Sequence, residues 1–211
     1  MNEKENLLCY FLGSLRDGYT KIYGNDYDIG VTQKDIDWLK ILQNVIKELF
    51  NKTVNIHKNG EWFKVHVRDK KIFLNLLERN LITLEKQTFW KTPEIIAHNS
   101  ENVKWYIGGF FDAEGGIGKY NKGNKSYLRL DFYHSWNNEN GCPPLEDVKI
   151  FLEALGMKCG KVRLRSKKSG NINPRYVLSI SNLNSIELFN RLIPFKHPKK
   201  SQKLTAMLAE A

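Results

Sequence analysis

Two apolar segments about a hundred residues apart, each rich in small residues and each stopped by an acid–glycine pair, constrain this chain more than any other feature. Residues 105–119 (WYIGGFFDAEGGIGK) contain Gly108, Gly109 and Ala113, small enough to let another backbone approach closely. The run delivers Glu114 to a helix end, where Gly115 and Gly116 can form the turn out of it. Residues 7–18 (LLCYFLGSLRDG) are a weaker version that again ends in an acid–Gly pair, at Asp17. Two such segments in one chain imply two half-sites that meet.

The elements between them repeat in the same order. Residues 20–23 and 27–33 read as a hairpin turning at 24–26, with Ile29 and Val31 alternating with polar residues. Residues 35–50 follow at helical period through Ile36, Leu39, Leu42, Val45, Ile46 and Leu49. A second hairpin, 53–58 and 62–68, turns at Asn59-Gly60, and 69–80 reads as a helix with Asp69 as its N-cap. The second half offers strands 117–121 and 126–134, then helix 144–155 stopped by Gly156. Strands 161–165 and 175–181 follow, joined by a basic loop, with helix 183–192 after them and a short C-terminal helix over 199–210. Each half is an αββαββα unit. The duplication predicts an α+β fold with pseudo-twofold symmetry, in which two antiparallel sheets carry helices on one face. The expected division is 1–85 for the N-terminal half, 86–100 for a linker and 101–211 for the C-terminal half.

Charge narrows the partner. The chain carries 33 Lys+Arg against 23 Asp+Glu, a formal net charge of +10, and most of the excess lies after residue 100. This balance favours a polyanion, most often nucleic acid. Cys9, Cys142 and Cys159 are odd in number and form no CxxC, so neither a zinc site nor a disulfide framework is indicated and a reducing compartment fits. The start, MNEKEN, is unlike a targeting signal, and no apolar run approaches the roughly 20 residues that span a bilayer. The expectation is a cytoplasmic protein.

The strand faces sharpen this reading. In 62–68, Phe63, Val65 and Val67 oppose Trp62, Lys64, His66 and Arg68; in 126–134, Leu128, Leu130 and Phe132 oppose Arg129, Asp131 and Tyr133. In 161–165, Val162 and Leu164 oppose Lys161, Arg163 and Arg165. One face of each antiparallel sheet packs under helices and the other stays free. The free set is cationic and aromatic, the chemistry of phosphate and base-edge contact. Tyr19, Lys21, Tyr23, Asp28, Thr32 and Lys58 join this candidate DNA-binding set from the first hairpins. Lys119, Lys122, Lys125, Lys167, Lys168 and Arg175 cluster at strand ends and loops, where they could grip a nucleic-acid backbone.

If the two apolar segments pack across a pseudo-twofold axis, Asp17 and Glu114 arrive side by side. Close like charges repel, so the arrangement is costly unless a divalent cation sits between them. Mg²⁺ bound by one or two carboxylates, waters and phosphate oxygens fits this ligand set. Such an ion can polarise a phosphodiester, activate a water and stabilise the leaving 3′ oxygen.

At these residues the chain resembles the LAGLIDADG homing endonucleases, in their monomeric, two-motif branch. Residues 107–115, Ile-Gly-Gly-Phe-Phe-Asp-Ala-Glu-Gly, match the nine-residue motif position for position, with Glu114 at the catalytic acid, and the resemblance covers nearly the whole chain. It implies a DNA endonuclease whose two saddle-shaped sheets lie in the major groove of a long asymmetric site. Both strands would be cut across the minor groove to leave short 3′ overhangs, with Mg²⁺ or another divalent cation such as Mn²⁺ on Asp17 and Glu114. Three further catalytic positions carry over: Gln33 within Val31-Thr-Gln-Lys34, Lys119 as the basic residue after the second motif, and Asn137 as the second-half counterpart of Gln33. The first motif departs from the pattern. Only three residues separate Gly13 from Asp17 where the family usually has four, which puts bulky Arg16 where a small residue normally packs.

Two other functions compete: an intron maturase of the same fold binding its own intron RNA, and a non-catalytic DNA-binding regulator. The retained acid pair favours cleavage of double-stranded DNA, because binding alone needs no carboxylates at a helix interface.

Overall fold

The structure, a computed structural model, describes residues 3–123, 125–167, 170 and 172–210, and of Lys122 and Lys125 the backbone alone. Helix α1 (Glu3–Ser14) ends in a 3₁₀ turn, Leu15–Asp17, and leads into β1 (Gly18–Tyr23) and β2 (Asp26–Gln33). Helix α2 (Ile36–Phe50), β3 (Ile56–Asn59), β4 (Trp62–Arg68) and α3 (Lys70–Glu78) complete the first unit. After two short 3₁₀ turns come α4 (Ser100–Glu114), β5 (Gly115–Lys122), β6 (Lys125–Ser135) and α5 (Pro143–Ala154). Then follow β7 (Arg163–Ser166), β8 (Arg175–Ile180), α6 (Leu183–Leu192) and α7 (Pro198–Ala209).

Local chemistry accounts for the boundaries. Asp35 and Asp69 cap α2 and α3, their carboxylates accepting backbone N–H groups of Trp38 (3.2 Å) and Ile72 (3.0 Å). Both first-unit hairpins turn on a glycine at positive φ, Gly24 (57°) and Gly60 (61°). Two strands start later than their sequence suggests. Gln43 Nε2 donates to the Val54 carbonyl and draws the stretch before Ile56 out of the sheet. The Gly160 N–H donates to Ser179 O at 2.9 Å and the register shifts between Leu164 and Ser166, so β7 begins at Arg163 and Lys161 lies outside it.

The strand orders are β1-β2-β4-β3 and β5-β6-β8-β7, all pairs antiparallel. Gly18 stands opposite Val31 and Gly115 opposite Phe132, so the two sheets share a register. Their inner faces and the helices form one apolar cluster that runs through both units, from Phe11 and Trp38 to Phe132 and Phe189. No helix among the described residues is long and apolar enough to cross a membrane.

At the centre, α1 packs on α4 through reciprocal glycines. A methyl group on Gly13 would collide with the Tyr106 carbonyl, and one on Gly109 with the Tyr10 carbonyl. The seam therefore matches Gly13 with Gly109, although the first motif is one residue shorter between its glycine and its acid. The 3₁₀ turn makes up the difference. Helix α4 continues as α-helix from Gly109 to Glu114, five steps of about 1.5 Å. From Gly13 to Asp17 there is one such step and then three 3₁₀ steps of about 2.0 Å, and both routes advance about 7.5 Å. The tighter turn also sets the buried Arg16 over the Tyr106 and Phe110 rings of α4. Its guanidinium donates to Tyr106 Oη (2.8 Å), Trp90 O (2.6 Å) and Lys91 O (3.0 Å), pinning the segment between the two units.

Candidate active site

The helix pair sets Asp17 and Glu114 at matching helix ends, each directly before the first strand of its sheet. Burial lifts both carboxyls. Asp17 is pushed up to about 7, against the opposing pull of Gln33, Lys200 and Arg175. Glu114 is pushed up to about 8 by burial and then by the charge of Asp17, with Arg175 and Lys200 opposing. Each acid thus lies in the field of the same two cations, and Glu114 also in that of Asp17. The Gln33 amide donates to Asp17 Oδ2, and Arg175 stands 3.8 Å from Glu114 Oε2 with its guanidinium over the Tyr133 ring.

Lys200, which sequence reasoning missed, comes from α7. Its Nζ donates to the carbonyls of Phe111 (2.7 Å) and Asp112 (2.8 Å), capping the last turn of α4. Burial lowers its pKa to about 8, although Asp112, Glu114 and Asp17 pull upward. Sequence proximity to a motif could not reveal it, because 86 positions separate Lys200 from Glu114.

Two sequence expectations need correction here. Lys119 registers opposite Leu128, on the helix side of its sheet, and pairs with Glu210 at 2.8 Å. It lies five residues along β5 from Glu114, and its head group is held at the end of α7. The shared register makes His134, not Asn137, the counterpart of Gln33. Strand β6 runs on to Ser135, so Asn137 falls in the following loop, where it accepts from Asn138 Nδ2 at 2.8 Å. His134 is fully buried against Phe110 and Trp136, and burial holds its pKa well below the ordinary value, so its ring is neutral.

Among the described residues no group of three or more His, Cys, Asp and Glu side chains could hold a metal ion. The donor set at the helix ends is therefore two oxygen ligands. Burial raises both carboxyls and the charge of Asp17 raises Glu114 further, a disposition that a divalent cation would relieve. That set fits a hard ion completing its shell with water and phosphate oxygens.

No family model matches the chain. It is 29% identical over 208 residues to homing endonuclease I-ApeI of Aeropyrum pernix, spanning 95% of this chain and 86% of that one. The fold is shared with I-DmoI, solved in complex with DNA and Ca, at a TM-score of 0.64 and 23% identity over 96% of this chain and 98% of that one. It is shared also with the LAGLIDADG homing endonuclease I-GzeII, solved in complex with its DNA target, at 0.56 and 13% identity over 96% and 89%. The chain is thus similar in sequence to a homing endonuclease and shares the fold of the LAGLIDADG homing endonucleases.

The outward sheet faces carry most of the side chains expected there, with informative exceptions. Tyr19, Lys21, Tyr23, Thr32, Trp62, Lys64, His66 and Arg68 share the outward parity of the first sheet. Lys58 does not. It registers opposite Phe63 on the helix side, and His57, opposite Lys64, faces outward in its place, edge-on to His66 at 5.3 Å. In the second sheet Arg129, Tyr133, Arg163, Arg165 and Arg175 face outward. Lys161 and Lys167 are exposed beside β7, while Lys168 lies outside the described residues, as do the side chains of Lys122 and Lys125. Tyr120 and Tyr127, missed from sequence, stack at 5.3 Å on this face with Arg129 over Tyr120.

Asp28 and Asp131 are not free to touch a ligand. Asp28 Oδ1 holds His66 Nδ1 (2.7 Å), and its Oδ2 accepts from Lys64 Nζ (3.1 Å) and Tyr19 Oη (3.2 Å). Burial pushes this carboxyl up, but His66 and Lys64 outweigh it and the pKa is lowered. Asp131 accepts from Ser179 Oγ (2.6 Å), Tyr133 Oη (2.9 Å) and Arg129 Nε (2.9 Å). Each acid is nearly buried and fixes the cations and phenols around it. The signal for this was the acid itself, set among cations on an outward strand face.

Proposed function

We propose that this protein is a site-specific DNA endonuclease that acts as a single chain. It hydrolyses one phosphodiester in each strand of a long asymmetric target and leaves short 3′ overhangs. The observation that carries the reading is the convergence of Asp17 and Glu114 on two close-packed helix ends, between two sheets whose outward faces are cationic and aromatic. A solvent-facing pair would be unremarkable; a partly buried, mutually repelling pair beside Arg175 and Lys200 suits binding of a metal and a phosphate.

Asp17 and Glu114 would hold the divalent cation, Mg²⁺ or Mn²⁺, which when bound polarises the phosphate and favours an attacking hydroxide. Gln33 fixes the rotamer of the Asp17 carboxylate through its amide. Arg175 stands where it can screen charge at Glu114 and meet the adjacent phosphate. Around them, Asp28 and Asp131 hold Lys64, His66, Tyr133 and Arg129 in set positions for contact with the duplex. Such fixed donors lose little conformational freedom on binding.

The test is cleavage selection from a randomised double-stranded DNA library, with Mg²⁺ or Mn²⁺ and with EDTA, followed by sequencing of the product ends. The reading expects one long recovered site cut in both strands only with metal. A protein that cuts nothing but promotes splicing of its own intron RNA would instead be a maturase. One that binds a DNA site equally well with and without either acid, and never cuts, would be a regulator.

A further inference from the structure

We infer that Lys200, carried by the C-terminal helix, supplies the ammonium that meets the scissile phosphate beside Asp17 and Glu114. The inference rests on the endonuclease reading and assigns a role to a part of the chain outside both motifs.

Its position is built, not incidental. Nζ is fixed by the Phe111 and Asp112 carbonyls, which belong to the helical turn ending at Glu114. An ammonium has three N–H donors, so this grip leaves one for another acceptor. Lys200 forms no ion pair among the described residues, although it interacts electrostatically with Asp17 and Glu114. A half-buried cation of this kind acts on developing negative charge more strongly than one in open water.

The segment leading to Lys200 is fastened on both sides of the seam. Asp112 Oδ2 accepts the Lys196 N–H at 2.5 Å and the Tyr10 hydroxyl at 2.6 Å, and Pro194 lies against Gly108. His197 stacks on Trp38 of α2 at an interplanar angle of 9°, and Lys199 pairs at 2.5 Å with Asp35, the cap of that helix. Helix α7 therefore carries the Lys200 head group to a place defined by both units. On β5, Lys119 is engaged by Glu210 instead.

In the reaction, a water oxygen forms a bond to phosphorus as the bond from phosphorus to the 3′ oxygen breaks. The water's proton passes to solvent, and the leaving oxygen takes one up. Lys200 keeps its own proton throughout and donates a hydrogen bond to a phosphate oxygen that gains charge.

The experiment is single-turnover cleavage of the selected target by the full chain, its Lys200→Met and Lys200→Ala variants, with DNA affinity measured in Ca²⁺. Lys200→Met is expected to cut about 10²- to 10³-fold more slowly with unchanged affinity, as for loss of a transition-state donor. Ethylammonium added to Lys200→Ala should restore part of the rate, whereas tetramethylammonium at equal ionic strength, which has no N–H, should not. Parental cutting by Lys200→Met overturns the proposal. So does a slow Lys200→Ala that ethylammonium leaves unchanged, since that marks a helix cap alone. A parental protein that cuts no DNA would instead remove the endonuclease reading itself.

Discussion

Gly109 of α4 rests on the main chain of α1 at Tyr10, with no room between them for a methyl group. The reciprocal contact of Gly13 with Tyr106 makes the seam symmetric, and the seam sets the separation of the two acids. Gly109→Ala is expected to destabilise the fold by about 1–3 kcal/mol, the usual cost of overpacking a tight core. Gly118→Ala is the control, because nothing lies within 4 Å of a methyl group there. Thermal unfolding of the two variants checks this, and equal midpoints would contradict the seam's role.

The acid pair should separate cutting from binding. Asp17→Asn and Glu114→Gln keep side-chain volume and remove one charge each, so both are expected to bind target DNA in Ca²⁺ as the parent does. Cleavage should fall by at least about 10²-fold, the scale of losing one preorganised electrostatic group. Affinity that declines in step with cleavage would mark these residues as structural.

Proton linkage gives a third expectation. Carboxyls raised to about 7 and about 8 hold their protons more tightly in the folded protein than in the unfolded one. Their contribution to stability is therefore lost as pH rises from about 4 to about 8 in metal-free solution. A divalent cation binds the ionised pair, so Mg²⁺ or Mn²⁺ should raise the unfolding midpoint more near pH 8 than near pH 6. Calorimetry with and without metal reads this directly, and the gain should vanish in a protein carrying both Asp17→Asn and Glu114→Gln. A larger gain at the lower pH would refute it.

Salt dependence tests the outward face. Arg163 is exposed and faces outward on β7. If it neutralises one phosphate, Arg163→Gln should weaken DNA binding and make the slope of log affinity against log salt shallower by about 0.9. An unchanged slope would take Arg163 off the DNA.

Much of this was legible in the chain. Helical period and the Asn59-Gly60 turn locate α2 and the second hairpin, and the acid–glycine endings locate Asp17 and Glu114, because each signal is local. Lys119 and Asn137 lie apart from the acids because distance along β5 and the length of β6, not nearness to a motif, decide where a side chain falls. Strand parity puts Lys58 on the helix side, one residue from outward-facing His57. Asp28 and Asp131 have the alternation of ligand-facing residues, but their partners Ser179 and Lys64 sit on neighbouring strands. Lys200 could not be found by pattern at all. Its role depends on where α7 docks, which Trp38, Asp35 and Asp112 determine from three distant points in the chain.

The 3₁₀ turn at Leu15–Asp17 makes each half depend on the other. The first half reaches the common centre by a shortened backbone, and its Arg16 must find Tyr106 in the second half and two carbonyls in the connection between them. Two first halves placed together would present two such arginines and no connecting segment to receive either. The shortened turn and the grip on Arg16 thus tie the two halves to each other, since neither half alone holds both the arginine and the groups that receive it.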